Sequence, residues 1–261
     1  MILETKNLTL GYPDKFLCHD LNIVINSGEF WAILGQNGCG KTTLINTLSG
    51  LRFTDAHHNT SVTVDGKTLR NWSRYELASR LGTLLQEEPG EFWGDVVEYV
   101  SLGRYPHLKK LSNWKNADQE IVTQAMEKVE LTNLARHPFN TLSSGERQRA
   151  RIALLLAQSP HCYLLDEPLQ YLDLRHQLLN MMLFKELVVQ GGAVMMVLHD
   201  ITWVSRYCDH VLMLFENGET LSGLTKEILT RNNLESLYQC HLDAFNVDHA
   251  RHFIPKTSPG V

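Results

Sequence analysis

The octapeptide GQNGCGKT, Gly35 to Thr42, constrains the fold more than any other stretch of the chain. It stands between an apolar run, Phe30 to Leu34, and a second apolar pattern carrying Leu44, Ile45 and Leu48. The spacing G-x-x-x-x-G-K-[ST] belongs to a loop that joins a buried strand to a helix. The reason is steric and electrostatic. Gly35, Gly38 and Gly40 let the backbone turn its N–H groups inward around phosphate oxygens, Gln36, Asn37 and Cys39 extend that cradle, and the helix beginning near Lys41 adds the positive end of its dipole. Lys41 is expected to reach the β- and γ-phosphates, Thr42 to hold Mg²⁺ through its hydroxyl, and Thr43 to add a further phosphate contact. A glycine-rich turn with a solvated lysine is the plainer alternative, and the strand before and helix after weigh against it. The expected ligand is a nucleoside triphosphate with Mg²⁺.

Three short runs read as fully buried parallel strands, because each is continuously apolar and stops at polar residues: EFWAILG, HCYLLDEP and GAVMMVLHD. Helical patterns such as ERQRARIALLLAQ and LRHQLLNMMLFKELVVQ separate them. That alternation predicts an α/β sheet with ligands at the carboxyl ends of its strands. LETKNLTLGYP, CHDLNIVINSGE and SVTVDGKTL alternate apolar and polar residues instead, which predicts an antiparallel β-layer at the edge. From about Glu91 to Pro138 the chain is mostly helical in pattern, with Ile121, Ala125, Val129 and Leu131 on one stripe. The expected organisation is one domain over residues 1–261: a β-layer and phosphate-loop core (1–90), a helical subdomain (91–140), the rest of the core (141–240) and a tail (241–261). The polar, proline-bearing end HARHFIPKTSPGV is expected to fray.

Composition narrows the function. With 24 Lys+Arg against 29 Asp+Glu and a formal net charge of -5, no basic face stands out, so nucleic acid is disfavoured as a partner. The start MILETKNLTLGYPDK lacks the pattern of a signal peptide, and no apolar run approaches the roughly 18 residues of a membrane span. The five cysteines, Cys18, Cys39, Cys162, Cys208 and Cys240, are never spaced as CxxC, which suits reduced thiols. The pairs His57-His58 and His249/His252 read as solvated histidines, because no Cys or carboxylate cluster completes a set of metal ligands.

Two further stretches complete the chemistry. HCYLLDEP ends a buried strand in two carboxylates, placing Asp166 to hold Mg²⁺ and Glu167 one residue nearer the nucleotide. In NTLSSGERQRARIALLLAQ, residues Leu142 to Glu146 open a strongly apolar helix, so a second helix N-terminus offers Ser143, Ser144 and Gly145 to an anion. An ordinary Ser cap on an amphipathic helix is the plainer reading of that stretch alone. With these residues in this order the chain resembles the ATP-binding cassette family, whose signature close to LSGGQ sits between the phosphate loop and the acidic strand. The resemblance runs over nearly the whole chain. It takes in Tyr12, where the family stacks an aromatic on adenine; Gln86 in LGTLLQEEP; Leu172-Asp173 in LQYLDL; and His199 in VLHD. Ser144 stands for the second signature glycine and Glu146 for its glutamine, and LQYLDL lacks the small residues common before Leu-Asp.

The resemblance implies a P-loop NTPase core of RecA-like type with an antiparallel β-subdomain and an inserted helical subdomain. It also implies a head-to-tail homodimer with two ATP molecules sandwiched, each between the phosphate loop of one copy and the Ser143 loop of the other, with Glu146 and Asp173 at that seam. Glu167 is the implied general base, His199 holds the γ-phosphate, Lys41 binds it, and Gln86 contacts the metal and senses the nucleotide. With no membrane span of its own, the chain is expected to dock on two transmembrane permease subunits at the cytoplasmic face of the inner membrane, served by an extracytoplasmic substrate-binding protein. VSLGRYPHL, DEPLQYLDLRHQ and LHDITWVSRYCDHVLMLFENGE look most like the ATPases of importers for iron–siderophore complexes, haem or cobalamin. The alternatives are the ATPase of another transporter, for metals, oxyanions or export, and a soluble cassette protein without transport. The second would normally carry two cassettes or a long coiled-coil insert. A kinase or GTPase would lack the LSSGE helix, and no N-K-x-D motif is present. Cys39, beside Lys41 and near a helix N-terminus, is expected to lie against the phosphates as a reactive thiol.

Overall fold

The computed structural model describes residues 2–12, 15–52, 61–86, 92–108, 114–247 and 250–256. Its centre is a six-stranded sheet of β3 (Phe30–Gly35), β6 (Leu81–Leu84), β7 (Cys162–Leu165), β8 (Ala193–Val197), β9 (His210–Leu214) and β10 (Thr220–Leu224), in the order β10-β9-β3-β8-β7-β6. Five strands run parallel and β10 returns antiparallel to β9. All residues of β3, β7 and β8 are buried, as expected of strands covered on both faces.

Alternation along these strands divides the interior into two cores. Phe30, Ala32 and Leu34, with Tyr163, Leu165, Val194 and Met196, face one cluster, whereas Trp31, Ile33, Leu164, Met195 and Val197 face the other. The second core is closed by α1 (Lys41–Leu48) and by an antiparallel sheet in the order β2-β1-β4-β5, built from β1 (Leu3–Tyr12), β2 (Lys15–Ile25), β4 (Ser61–Val64) and β5 (Lys67–Thr68). After it comes α2 (Arg74–Ala78), which Ser73 and Glu76 start with a reciprocal cap.

Between β6 and β7 the described chain is helical, with α3 (Val96–Ser101), α4 (Asn116–Lys128) and α5 (Ser144–Gln158). Ala125, Val129 and Leu131 of the expected stripe are buried, Ile121 packs against the same core partly buried, and Val122 and Met126 widen the buried face of α4. Beyond β7 come α6 (Leu174–Val189) and α7 (Ile201–Tyr207), which cover the first core together with α5. Phe184 of α6 is fully buried there, and its truncation to Ala would cost about 3–5 kcal/mol.

After α8 (Thr225–Ile228) and α9 (Arg231–Tyr238), β11 (Leu242–Val247) and β12 (Ala250–Pro255) form an antiparallel hairpin. This corrects the expectation of a frayed end as far as Pro255. Polar residues are interspersed with Phe245, Phe253 and Ile254 without strict alternation, and Arg251 fixes the hairpin by donating its N–H to Ser205 Oγ of α7 at 3.1 Å. His252 stacks on Phe245 at 5.6 Å, while His57, His58, His249 and residues 257–261 lie outside the described residues.

Candidate functional site

Four loops leave the carboxyl edge of the parallel sheet side by side. β3 ends in the phosphate loop, β6 in Gln86, β7 in Asp166-Glu167 and β8 in His199. They surround a cavity of about 720 Å³ lined by Leu17, Asn37, Gly38, Gly40, Lys41, Thr42, Thr43, Gln86, Glu167 and His199. Residues far apart in sequence therefore meet in one place, as ligand sites in open α/β sheets do. Leu17 was not anticipated. An apolar residue inside an alternating strand carries no sign of lining a ligand cavity.

The loop's shape follows from its glycines. Gly40 has φ 106°, and a Cβ there would stand 2.9 Å from the Cβ of Leu17. Gly35 is pressed even closer, since a Cβ would meet the Cys39 sulfur at 2.5 Å and the Leu214 carbonyl oxygen at 2.7 Å. No described side chain caps α1 at Gly40, so the first N–H groups of that helix are presented at the cavity. Lys41 is only 6% exposed, and its ammonium donates to the carbonyls of Gly35 and Gln36 at 2.8 Å each. The long side chain is thus held against the loop with its charge at the wall that Thr42 and Thr43 also line.

Two loop residues turn away from the cavity. Gln36 donates its side-chain amide to the Leu237 carbonyl at 2.9 Å, which braces the loop against the end of α9. Cys39 is 2% exposed and packs in the second core, with its sulfur near the Gly35 Cα, and it does not line the cavity. The expectation of a thiol lying against the phosphates is corrected: with Gly35 offering only a hydrogen, the sulfur fills the space under the turn. Tyr12 ends β1, and its side chain lies outside the described residues.

Around Glu167 the geometry is specific. His199 Nε2 lies 2.8 Å from Oε1, and Gln86 donates its amide to Oε2 at 3.4 Å, so the two carboxylate oxygens face different partners. Glu167 itself has φ 51°, a left-handed conformation that costs a non-glycine residue about 1–3 kcal/mol and is retained where surroundings enforce it. Those surroundings come from α5. Gln148 donates to the Pro168 carbonyl at 2.9 Å, and Arg151 donates to the Leu85 carbonyl, so one helix grips the backbone beside Glu167 and beside Gln86.

Asp166 is 1% exposed, and among the described residues neither carboxylate oxygen has a hydrogen-bond partner. Burial pushes its carboxyl above the ordinary aspartate range; the Thr42 hydroxyl opposes that shift, Glu167 adds to it, and Lys41 and His199 oppose it. A buried carboxylate left unpaired next to a threonine hydroxyl is the donor set a hard, oxygen-seeking cation requires.

The signature stretch stands elsewhere. Ser143 caps α5 by accepting from Glu146 N–H at 3.3 Å, while Glu146 Oε2 accepts from the Ser143 hydroxyl and N–H at 2.7 and 2.8 Å. These bonds hold the Glu146 carboxyl below its usual range. Ser143, Ser144, Gly145, Glu146 and Asp173 are absent from the described lining of the nucleotide-type cavity.

Comparison with known proteins agrees with this geometry. A family model described as "ABC transporter" matches residues 18–170. The chain is 41% identical over 239 residues to the ferric enterobactin transport ATP-binding protein FepC of Escherichia coli (strain K12), covering 90% of this chain and 86% of that protein. Among solved structures it is similar to an ABC transporter of metal-chelate type in an inward-facing conformation, at 29% identity and a TM-score of 0.81, with 98% of each chain covered. It is also similar to a dimeric ATP-binding cassette in a post-hydrolysis state bound to ADP and phosphate, at 26% identity and a TM-score of 0.72, covering 85% of this chain and 98% of that one. The glycine loop that follows β3, the acids that follow β7 and the length over which these relatives align lead to one conclusion: the chain belongs to the ABC transporter family, as one of its ATP-binding subunits.

Proposed function

We propose that the protein hydrolyses ATP to power uptake of an iron-chelate-type substrate through separate membrane subunits. The observation that carries the chemical part is the placement of Glu167 between His199 and Gln86 at the mouth of the phosphate loop. Glu167 takes a proton from the attacking water as the water oxygen bonds to the γ-phosphorus, and the bond to the bridging oxygen breaks to leave ADP. His199 orients that carboxylate and faces the γ-phosphate, and Lys41 with the open end of α1 binds the transferred charge. Thr42, Gln86 and Asp166 would hold Mg²⁺, which when bound offsets phosphate charge.

The nucleotide cavity is lined without the Ser143 loop or Asp173, which supports a composite site made by two copies placed head to tail. ATP then bridges two helix N-termini, and loss of phosphate removes the bridge. Among the described residues no helix is long and apolar enough to cross a membrane. Work on a membrane substrate therefore calls for two permease subunits, with the protein peripheral at the cytoplasmic face and a substrate-binding protein on the far side. The identity to a ferric enterobactin transport subunit supports iron–siderophore, haem or cobalamin cargo over other transported classes.

Glu167→Gln tests the chemistry, because it keeps the shape and loses the proton acceptor. Turnover should fall by roughly 10² or more, nucleotide binding should survive, and size-exclusion chromatography with ATP should show a trapped dimer. Full ATPase activity in this variant would remove Glu167 from the role.

A further inference from the structure

Asp173 and Ser143 come from different segments of the chain, yet a single residue ties the helices they begin. Glu130 follows α4 with φ 57°. Its carbonyl and that of Val129 accept from Arg149 Nη1 at 2.8 and 3.0 Å, so α5, the helix that opens at Ser143, holds its backbone. The head of α6 holds its side chain. Arg175 donates Nη1 and Nη2 to the two carboxylate oxygens at 2.6 Å each, and His176 Nε2 stands 3.5 Å from Oε2.

His176 carries the link onward. Its Nδ1 lies 2.8 Å from Asp173 Oδ1, and because a carboxylate oxygen accepts, Nδ1 is the donor. The same oxygen accepts the His176 backbone N–H at 2.8 Å, and among the described residues no hydrogen bond engages Oδ2. One oxygen of Asp173 is clamped and the other remains available. Isolated exposed ion pairs contribute little, but here the two-bond guanidinium–carboxylate pair of Arg175 with Glu130 and the bond of His176 to Asp173 stand on consecutive residues of α6 and join three segments into one network.

We propose that Glu130, Arg175 and His176 are positioning residues that lock Asp173 to the Ser143 helix, so that both loops meet the nucleotide site of a second copy in one fixed register. The inference rests on the two-copy reading above. It also accounts for the left-handed backbone of Glu130, which brings a residue of the α4–α5 connection within reach of α6.

The test is ATP turnover by the full chain, with nucleotide affinity and thermal melting measured alongside. His176→Ala should lower kcat roughly tenfold and leave nucleotide affinity and melting temperature near the parent's, as displacement of a seam group would. In an Asp173→Ala background it should cause no further loss. The same proportional loss in both backgrounds would overturn the inference, as would a loss that tracks a lower melting temperature and weaker affinity. Glu130→Arg and Arg175→Glu should each lower kcat, and the exchanged pair should recover most of it; a double variant no better than the worse single would overturn the joint. The two-copy reading has a separate readout in the ATP-dependent dimer of Glu167→Gln. Absence of that dimer removes the two-copy reading, whereas a dimer with turnover indifferent to His176→Ala overturns the joint alone.

Discussion

Removing the charge of Asp166 should stabilise the protein that it disables. In the structure both oxygens of this carboxylate are buried without a hydrogen bond from the described residues, and burial raises its pKa above the ordinary value of 3.8. Asp166→Asn keeps the shape and removes the ionised form. Leaving a buried polar group unsatisfied costs about 1–3 kcal/mol, more when it is charged. The neighbouring Thr42 hydroxyl and attraction to Lys41 and His199 offset part of that cost, but Asp166→Asn keeps an amide oxygen toward Thr42, and Lys41 keeps its bonds to the Gly35 and Gln36 carbonyls and is not stranded by the change. A net gain of about 1 kcal/mol is expected, which for a chain of this size raises the melting temperature by about 2–4 °C. The sign with pH follows from the raised folded-state pKa. Asp166 contributes most favourably below its unfolded pKa, and that contribution is lost as pH rises through the folded value. The advantage of Asp166→Asn should therefore be present at neutral pH and vanish in acid. Scanning calorimetry in a chelator at both pH values is the assay. MgATP should then narrow or reverse the gap, because the parent gains binding free energy that the variant lacks. An unchanged or lower melting temperature at neutral pH, or an equal gain in acid, would refute the reasoning.

Other consequences separate the two halves of the site and its thiols. Lys41→Ala should weaken nucleotide binding by the single chain about ten- to hundredfold, the worth of a hydrogen bond to a charged group, as read by equilibrium titration. Ser143→Arg should leave that affinity intact and block the ATP-dependent dimer; equal loss of single-chain affinity in both variants would exclude a composite site. Maleimide should modify Cys240 first, because Cys39 is in the core and burial pushes the Cys18 thiol up to about 11 and the Cys162 thiol up to about 12. Cys240→Ser should abolish the fast reaction and keep ATPase activity, and rapid labelling of Cys39 in the folded protein would contradict its placement.

Much of the cavity was legible in the sequence because its chemistry is local. A strand, a glycine turn and a helix N-terminus are specified within Phe30 to Leu48, and the phosphate loop there owes its form to Gly35 and Gly40. Asp166, Glu167 and His199 could be found in the same way, since a continuous apolar run ending in polar residues marks the carboxyl edge of a parallel strand. Fold class was legible for a related reason: period-two and continuous apolar patterns distinguish half-buried from fully buried strands. Patterns of that kind do not encode direction between distant segments. Nothing in NGCGK says that the Cys39 sulfur turns into the core while Gly38 and Gly40 face the cavity, because that depends on the Leu214 carbonyl of β9 pressing against Gly35. The C-terminal hairpin escaped notice because its polar residues look solvated until Ser205 of α7 supplies a partner. The pairing of Glu167 with Gln86 and His199 joins residues from three strand ends, and the grip of Glu130 on Arg175 spans the α4–α5 connection and α6. Local sequence determined which groups could bind phosphate; packing of the sheet and its helices decided which of them meet, because that requires long-range contacts that no single segment contains.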